Sequence, residues 1–195
     1  MASENKKDFL QIIKNAGAAV IFKASEAIQW YKKRIQNSIS SVKTNDTSKM
    51  FDKVGYPEIG KMYIFLYSAK HKDILPFYDA HPLVFPIEMY TDGFLGINLH
   101  YLPPSHRANL LTALYSLRVN DKYNNVAKLN ISYNLLKAYS TQFSGFENCV
   151  KRYLFSHVKS KFSVVDPFDW EKVCMLPLQN WKINPNTKYS KPLPY

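Results

Sequence analysis

The chain has 195 residues, 46% of them hydrophobic and 15% aromatic, so one domain of ordinary size can bury a core without disulfides or a structural metal. Its two cysteines, Cys149 and Cys174, are far apart with no CxxC spacing, which speaks against a zinc site or disulfide framework and for two small buried thiols. Lysine and arginine number 26 against 15 acids, a net charge of +11, which points toward a polyanionic partner.

The charge is unevenly placed. Residues 1–40 carry seven bases and three acids, residues 41–60 three of each, residues 61–148 eight and six, and residues 149–195 eight and three. The excess therefore sits at the two ends, around a nearly neutral middle. The first ten residues are polar and no cleavage pattern follows an apolar run. The stretch Asn15–Phe22 is too short to span a bilayer. A soluble protein made in the cytoplasm is expected.

Residues 1–40 read as an amphipathic helical arm. Phe9, Ile12, Ile13, Ala16, Val20, Ala24, Ala27, Ile28, Tyr31 and Ile35 recur every three or four positions. Ser3 is a candidate cap, Asp8 falls near the positive end, and Gly17 divides the run into two possible helices. The alanine-rich stripe suits docking on protein better than a membrane surface. From Asn37 the composition turns to Ser, Thr, Asn and Lys without a period, and residues 41–57 are expected to form a flexible linker.

Residues 58–177 form the expected body. Met62–Tyr67 is a short apolar strand. The runs "LVFPIEMY" and "FLGINLHYL", joined through "TDGF", predict a hairpin with Gly93 at positive φ and with an edge or bulge at Pro86. "LPP" ends the second strand and starts a helix with Pro104 in its first turn; a further helix follows at about 128–139. The run "FENCVKRYLFSHVKSKFSVV" is expected to begin helical and end as a strand, and Asp169 to cap a short helix, "WEKVCML". The tail, 178–195, is proline-rich and basic, and is expected to be extended. The pattern predicts an α+β fold: a small antiparallel sheet, curled into a partial barrel, packed with helices.

Catalytic constellations are weak. His100 and His106, with Asp79 or Asp92, are a conceivable metal set, but no known ligand spacing is met. "VVDPFDWEK" groups Asp166, Asp169, Glu171 and Lys172 as a nuclease would, yet these acids also suit helix starts. The sequence has no Gly-x-Ser-x-Gly turn, Walker loop or GxGxxG. No enzymatic activity, cofactor, metal or small-molecule substrate is expected.

Nucleic-acid binding fits better. "KRYLFSHVKSKF" interleaves cations with rings, and as a helix it would put Arg152, Ser156 and Lys159 on one side. Lys151, Arg152, Lys159 and Lys161, extended by Lys182 and Lys188 of the tail, are the candidate DNA-binding residues. Such cations neutralise phosphates without reading sequence, while exposed rings stack on unpaired bases. The alternative is that the rings are core and the lysines only solvated.

"LPFYDAHPLVFP" (Leu75–Pro86), "GFLGINLHYLPP" (Gly93–Pro104), "KLNISYNLL" and "KRYLFSHVKSKF" carry a family resemblance that spans about Gly60 to Pro177. The chain resembles the DNA end-protector, or head-completion, proteins of large contractile-tailed (myovirus-type) bacteriophages. The resemblance implies a virion protein made in the host cytoplasm, bound at the ends of the packaged double-stranded genome in the head or neck. It would shield those ends from host exonuclease and help complete the head for tail joining. The rival reading is a non-enzymatic subunit of the neck or tail baseplate whose partners are neighbouring head, neck or tail proteins. A membrane-active role ranks last.

Overall fold

The computed structural model describes residues 8–16, 20–40, 55–74, 78–142 and 149–176. In chain order the elements are α1 (Phe9–Ala16), α2 (Val20–Ser40), β1 (Met62–Ile64), β2 (Leu83–Tyr90), β3 (Gly93–Asn98), α3 (Pro104–Arg118), α4 (Asn125–Gln142), β4 (Val150–Leu154), β5 (Ser163–Val165) and α5 (Trp170–Met175). The fold is α+β, as the sequence predicts. Its antiparallel sheet has the order β4-β3-β2-β1-β5.

Alternation along the strands gives the sheet two buried faces. Met62 and Ile64 on β1, Leu83, Phe85 and Ile87 on β2, and Ile97 on β3 face the helices and join the larger core. Tyr63, Phe65, Val84, Phe94 and Tyr153 face the other way and build an aromatic cluster. The chain leaving β4 crosses over that cluster, adding Val158, Phe155 and Phe162, before returning as β5 beside β1. Tyr67 bridges Val158, and Lys159 N–H donates to Leu66 O at 2.7 Å, so the crossing segment curls the sheet toward closure.

The N-terminal helices dock on this body. Phe9 is fully buried and meets Tyr115 of α3 edge-on at 5.8 Å, while its N–H donates to Thr112 Oγ1 at 3.0 Å. Ala27 and Tyr31 of α2 are buried. Arg34 pairs with Asp169 at 2.7 Å, and Lys23 lies 3.7 Å from Glu171. Asp8 caps α1 by accepting from Gln11 N–H at 3.1 Å; Ser3 and Gly17 lie outside the described residues. So does the stretch 41–54, most of the expected linker.

Several local expectations need correction. The hairpin forms, with a register shift between Pro86 and Glu88, but Tyr90 pairs with Gly93, so Thr91 and Asp92 make the turn. Gly93 does not take a positive φ. Its lack of a side chain serves another purpose: a Cβ there would stand 2.0 Å from the Tyr153 carbonyl oxygen of β4. The strand expected from Met62 to Tyr67 is ladder-paired only to Ile64, because Leu66 N–H turns to Ser160 Oγ at 2.7 Å. Residues 150–154 are strand, not helix; five pairs with β3 override the helical reading of "KRYLF". Asp169 does not cap α5 with its side chain, being held by Arg34 and Lys172 at 2.7 Å each.

Arg107 was not expected in the core, yet it is fully buried. Its Nη1 donates to the carbonyls of Val173 (2.9 Å) and Leu176 (2.7 Å), and its Nη2 to that of Leu102 (3.2 Å). Val173 and Leu176 end α5, where unpaired carbonyls concentrate negative potential. Burial lowers the guanidinium pKa to about 10, which leaves it charged at neutral pH.

Two outcomes test this packing. Gly93→Ala should destabilise the protein by more than 2 kcal/mol, because backbone and not a flexible side chain obstructs the new methyl; an unchanged urea midpoint would refute the close approach. Arg107→Met should cost about 3 kcal/mol in the same assay, since three buried carbonyls lose their donor.

Candidate nucleic-acid interface

β4 is an edge strand, and this puts Lys151 and Arg152 at the rim of the sheet. Arg152 is tied into the hairpin: its guanidinium lies 3.7 Å over the Tyr90 ring and pairs with Asp92 of the turn. Lys151 is half-buried, with its ammonium 4.9 Å above the Tyr101 ring. Burial lowers its pKa, opposed by the nearby Cys149 thiol, and no acid pairs with it among the described residues. Lys159 and Lys161 follow on the crossing segment and are exposed; Lys159 Nζ donates to Ser156 O at 3.1 Å. The four cations thus run along one continuous strand and crossing segment, not down the helical face expected for Arg152, Ser156 and Lys159. Lys182 and Lys188 lie outside the described residues.

The rings interleaved with these cations have a different role. Tyr153 is buried, stacked on Phe94 at 5.2 Å, and Phe155 and Phe162 pack against the same cluster. Tyr153 belongs to the core, and Phe155 and Phe162 are partly buried against it. On β4, Lys151 and Tyr153 share the aromatic face of the sheet and Arg152 lies on the other, while Lys159 and Lys161 are exposed on the crossing segment.

Beside β4 lies a cleft of about 310 Å³, lined by Lys70, Tyr78, Tyr101, Lys151 and Arg152 with Asp79 below. Lys70, His71 and Lys72 sit in an exposed turn closed by Lys72 N–H to Ala69 O at 3.2 Å. Sequence reasoning missed this turn. The run "SAKHKD" was there to be read, but only folding carries it 80 residues along the chain to β4.

A buried polar network stands behind the cleft. Asp79 Oδ2 lies 2.7 Å from His100 Nδ1 and accepts from Asn98 Nδ2 at 2.9 Å; Oδ1 accepts from His81 N–H at 3.0 Å. Asn98 Nδ2 also donates to the Tyr153 hydroxyl at 3.1 Å, and the Tyr31 hydroxyl of α2 donates to the His81 carbonyl. Burial alone would raise the Asp79 carboxyl, but His100, Asn98 and the His81 amide outweigh it and hold it below the ordinary range. Burial, reinforced by Asp79, pushes the Tyr153 phenol well up. Of the conceivable metal set, His100 and Asp79 meet in this network, while Asp92 is on the hairpin turn with Arg152. Among the described residues no three His, Cys, Asp or Glu side chains form a metal-holding group.

The acids of "VVDPFDWEK" are structural in this arrangement. Asp166 accepts from Phe168 N–H at 2.9 Å, and Asp169 takes its two ion pairs. Cys149 and Cys174 are buried free thiols, with pKa values pushed by burial up to about 11 and about 12. No helix among the described residues is long and apolar enough to cross a membrane.

Residues 1–192 match the family model described as phage T4 terminal DNA protecting protein, and the chain belongs to that family. It is therefore a phage protein of the class that protects DNA ends. The match takes in the N-terminal helices and most of the tail as well as the body. No curated protein and no solved structure matches the chain.

The Asp79 network has a pH signature. A carboxyl whose folded pKa lies below its unfolded value contributes stability that is present above the unfolded value, near pH 4, and lost as pH falls through the folded one. Asp79→Asn should cost about 3 kcal/mol at pH 7, and the gap to the natural protein should narrow in urea unfolding below about pH 4. A gap that is the same at both pH values would contradict the network.

Proposed function

We propose that this protein binds the ends of the packaged double-stranded genome in the virion and shields them from host exonuclease, without enzymatic chemistry of its own. The observation that carries the reading is the run of Lys151, Arg152, Lys159 and Lys161 along the edge strand β4 and the segment that crosses from it, in a chain of the end-protecting family. Lys182 and Lys188 extend the same positive charge in sequence. Backbone phosphates supply the affinity in such a contact, so any terminal sequence is accepted. In the same reading the protein sits with the genome end in the head and helps complete it.

The test is binding to linear duplex against a covalently closed circle of equal length, across a salt series, with exonuclease digestion in parallel. Tighter binding to the linear form that falls steeply with salt, together with slower digestion, is the expected outcome. Replacing Lys159 and Lys161 by Ala should lower the salt slope by about two, roughly one per lost phosphate contact, at all sequences alike. Equal affinity for the circle would overturn the reading.

A further inference from the structure

We infer that the cleft beside β4 is a terminal-nucleotide pocket: it holds the 5′-phosphate of one strand end between Lys70 and Lys151, with the attached nucleotide against Tyr78 and Tyr101. This deepens the end-binding reading and rests on it. The exposed basic edge contacts any duplex phosphate, whereas the cleft distinguishes an end from the interior.

Size is the first support. A volume of about 310 Å³ lies at the lower limit for ligand sites, enough for one nucleotide and too little for a duplex. Charge is the second. Lys70 and Lys151 have no acid partner among the described residues, unlike Arg152, which Asp92 holds. The acid that lines the cleft, Asp79, is committed to His100, Asn98 and the His81 amide. Two uncompensated ammonium groups, one of them half-buried, match a phosphate monoester of charge about −1.5 to −2 better than a diester of charge −1. Burial depresses the Lys151 pKa, and a bound dianion would reverse that direction.

The third support is the walls. Tyr78 and Tyr101 are half-buried, so each presents part of a ring to the cleft, and stacking tolerates any base. A terminal pair frays more readily than an internal one, so an end can supply the nucleotide at small cost. Rigidity is the fourth. Asp79, Asn98 and Tyr153 fix the floor from three separate segments, so the cleft is formed before any ligand arrives.

The experiment uses the full-length protein and three duplexes of one sequence: a hairpin with a single 5′-phosphate blunt end, the same hairpin with a 5′-hydroxyl, and a dumbbell closed at both ends. Thymidine 5′-monophosphate and thymidine serve as competitors. The phosphorylated end is expected to bind about tenfold more tightly than the hydroxyl end. Lys151→Met and the exposed Lys70→Met should each abolish that difference, Lys151→Arg should retain part of it, and the monophosphate alone should compete. Thermal unfolding checks that each variant folds; should Lys151→Met fail, Lys70→Met decides. If both ends bind equally but better than the dumbbell, the pocket is overturned and end binding survives. A phosphate preference that neither lysine affects also overturns it. If ends and dumbbell bind alike while the monophosphate binds in a lysine-dependent way, the pocket stands and the end-binding reading falls.

Discussion

One buried carboxylate organises the corner of this molecule where the hairpin, β4 and α2 meet. Asp79 gathers His100 from the end of β3, Asn98 from β3 itself and the backbone of His81, and through Asn98 it reaches Tyr153 of β4. The network joins three stretches of chain, residues 79–81, residues 98–100 and β4, and Tyr31 of α2 closes over the same corner by bonding the His81 carbonyl. A buried charge is tolerated only when its neighbours satisfy it, so these segments are held in one arrangement or the carboxylate is stranded. The edge strand and the cleft inherit their positions from that constraint.

The sheet divides the work between its sides. The helix-facing side is an aliphatic core that also buries Phe9 and Ala27 of the N-terminal helices, so detaching those helices would expose apolar surface already removed from water. The other side is a cluster of rings covered by the segment that carries the lysines. Lys151 and Tyr153 share that face, Tyr153 buried among the rings and Lys151 half-buried at the cleft beside them. Four of the chain's cations, Lys151, Arg152, Lys159 and Lys161, are carried by the element that completes the hydrophobic core.

Much of this was legible beforehand. The hairpin, the helix from Pro104, the closing β-branched strand and the α+β class all follow from local patterning and turn chemistry. Errors came where a distant partner decides. Gly93 looked like a turn glycine, but its constraint is the carbonyl of Tyr153, sixty residues later. "KRYLF" has the spacing of a short helix as readily as that of a strand, and the free edge of β3 chose between them. Arg107 gave no local sign of burial, because its partners are carbonyls at the end of α5. The candidate cations were chosen from composition, but the grouping of Lys70 with Lys151 at one cleft was not legible there.

By itself, the sequence determined the class of fold, the inventory of cations and their excess toward the ends, because periodicity, turn residues and net charge are local or additive properties. Tertiary structure alone decided which rings are core, which lysines lack acid partners and where a cleft opens. Those are consequences of which residues, far apart in the chain, are brought within a few ångströms, and no pattern along the chain encodes that distance directly.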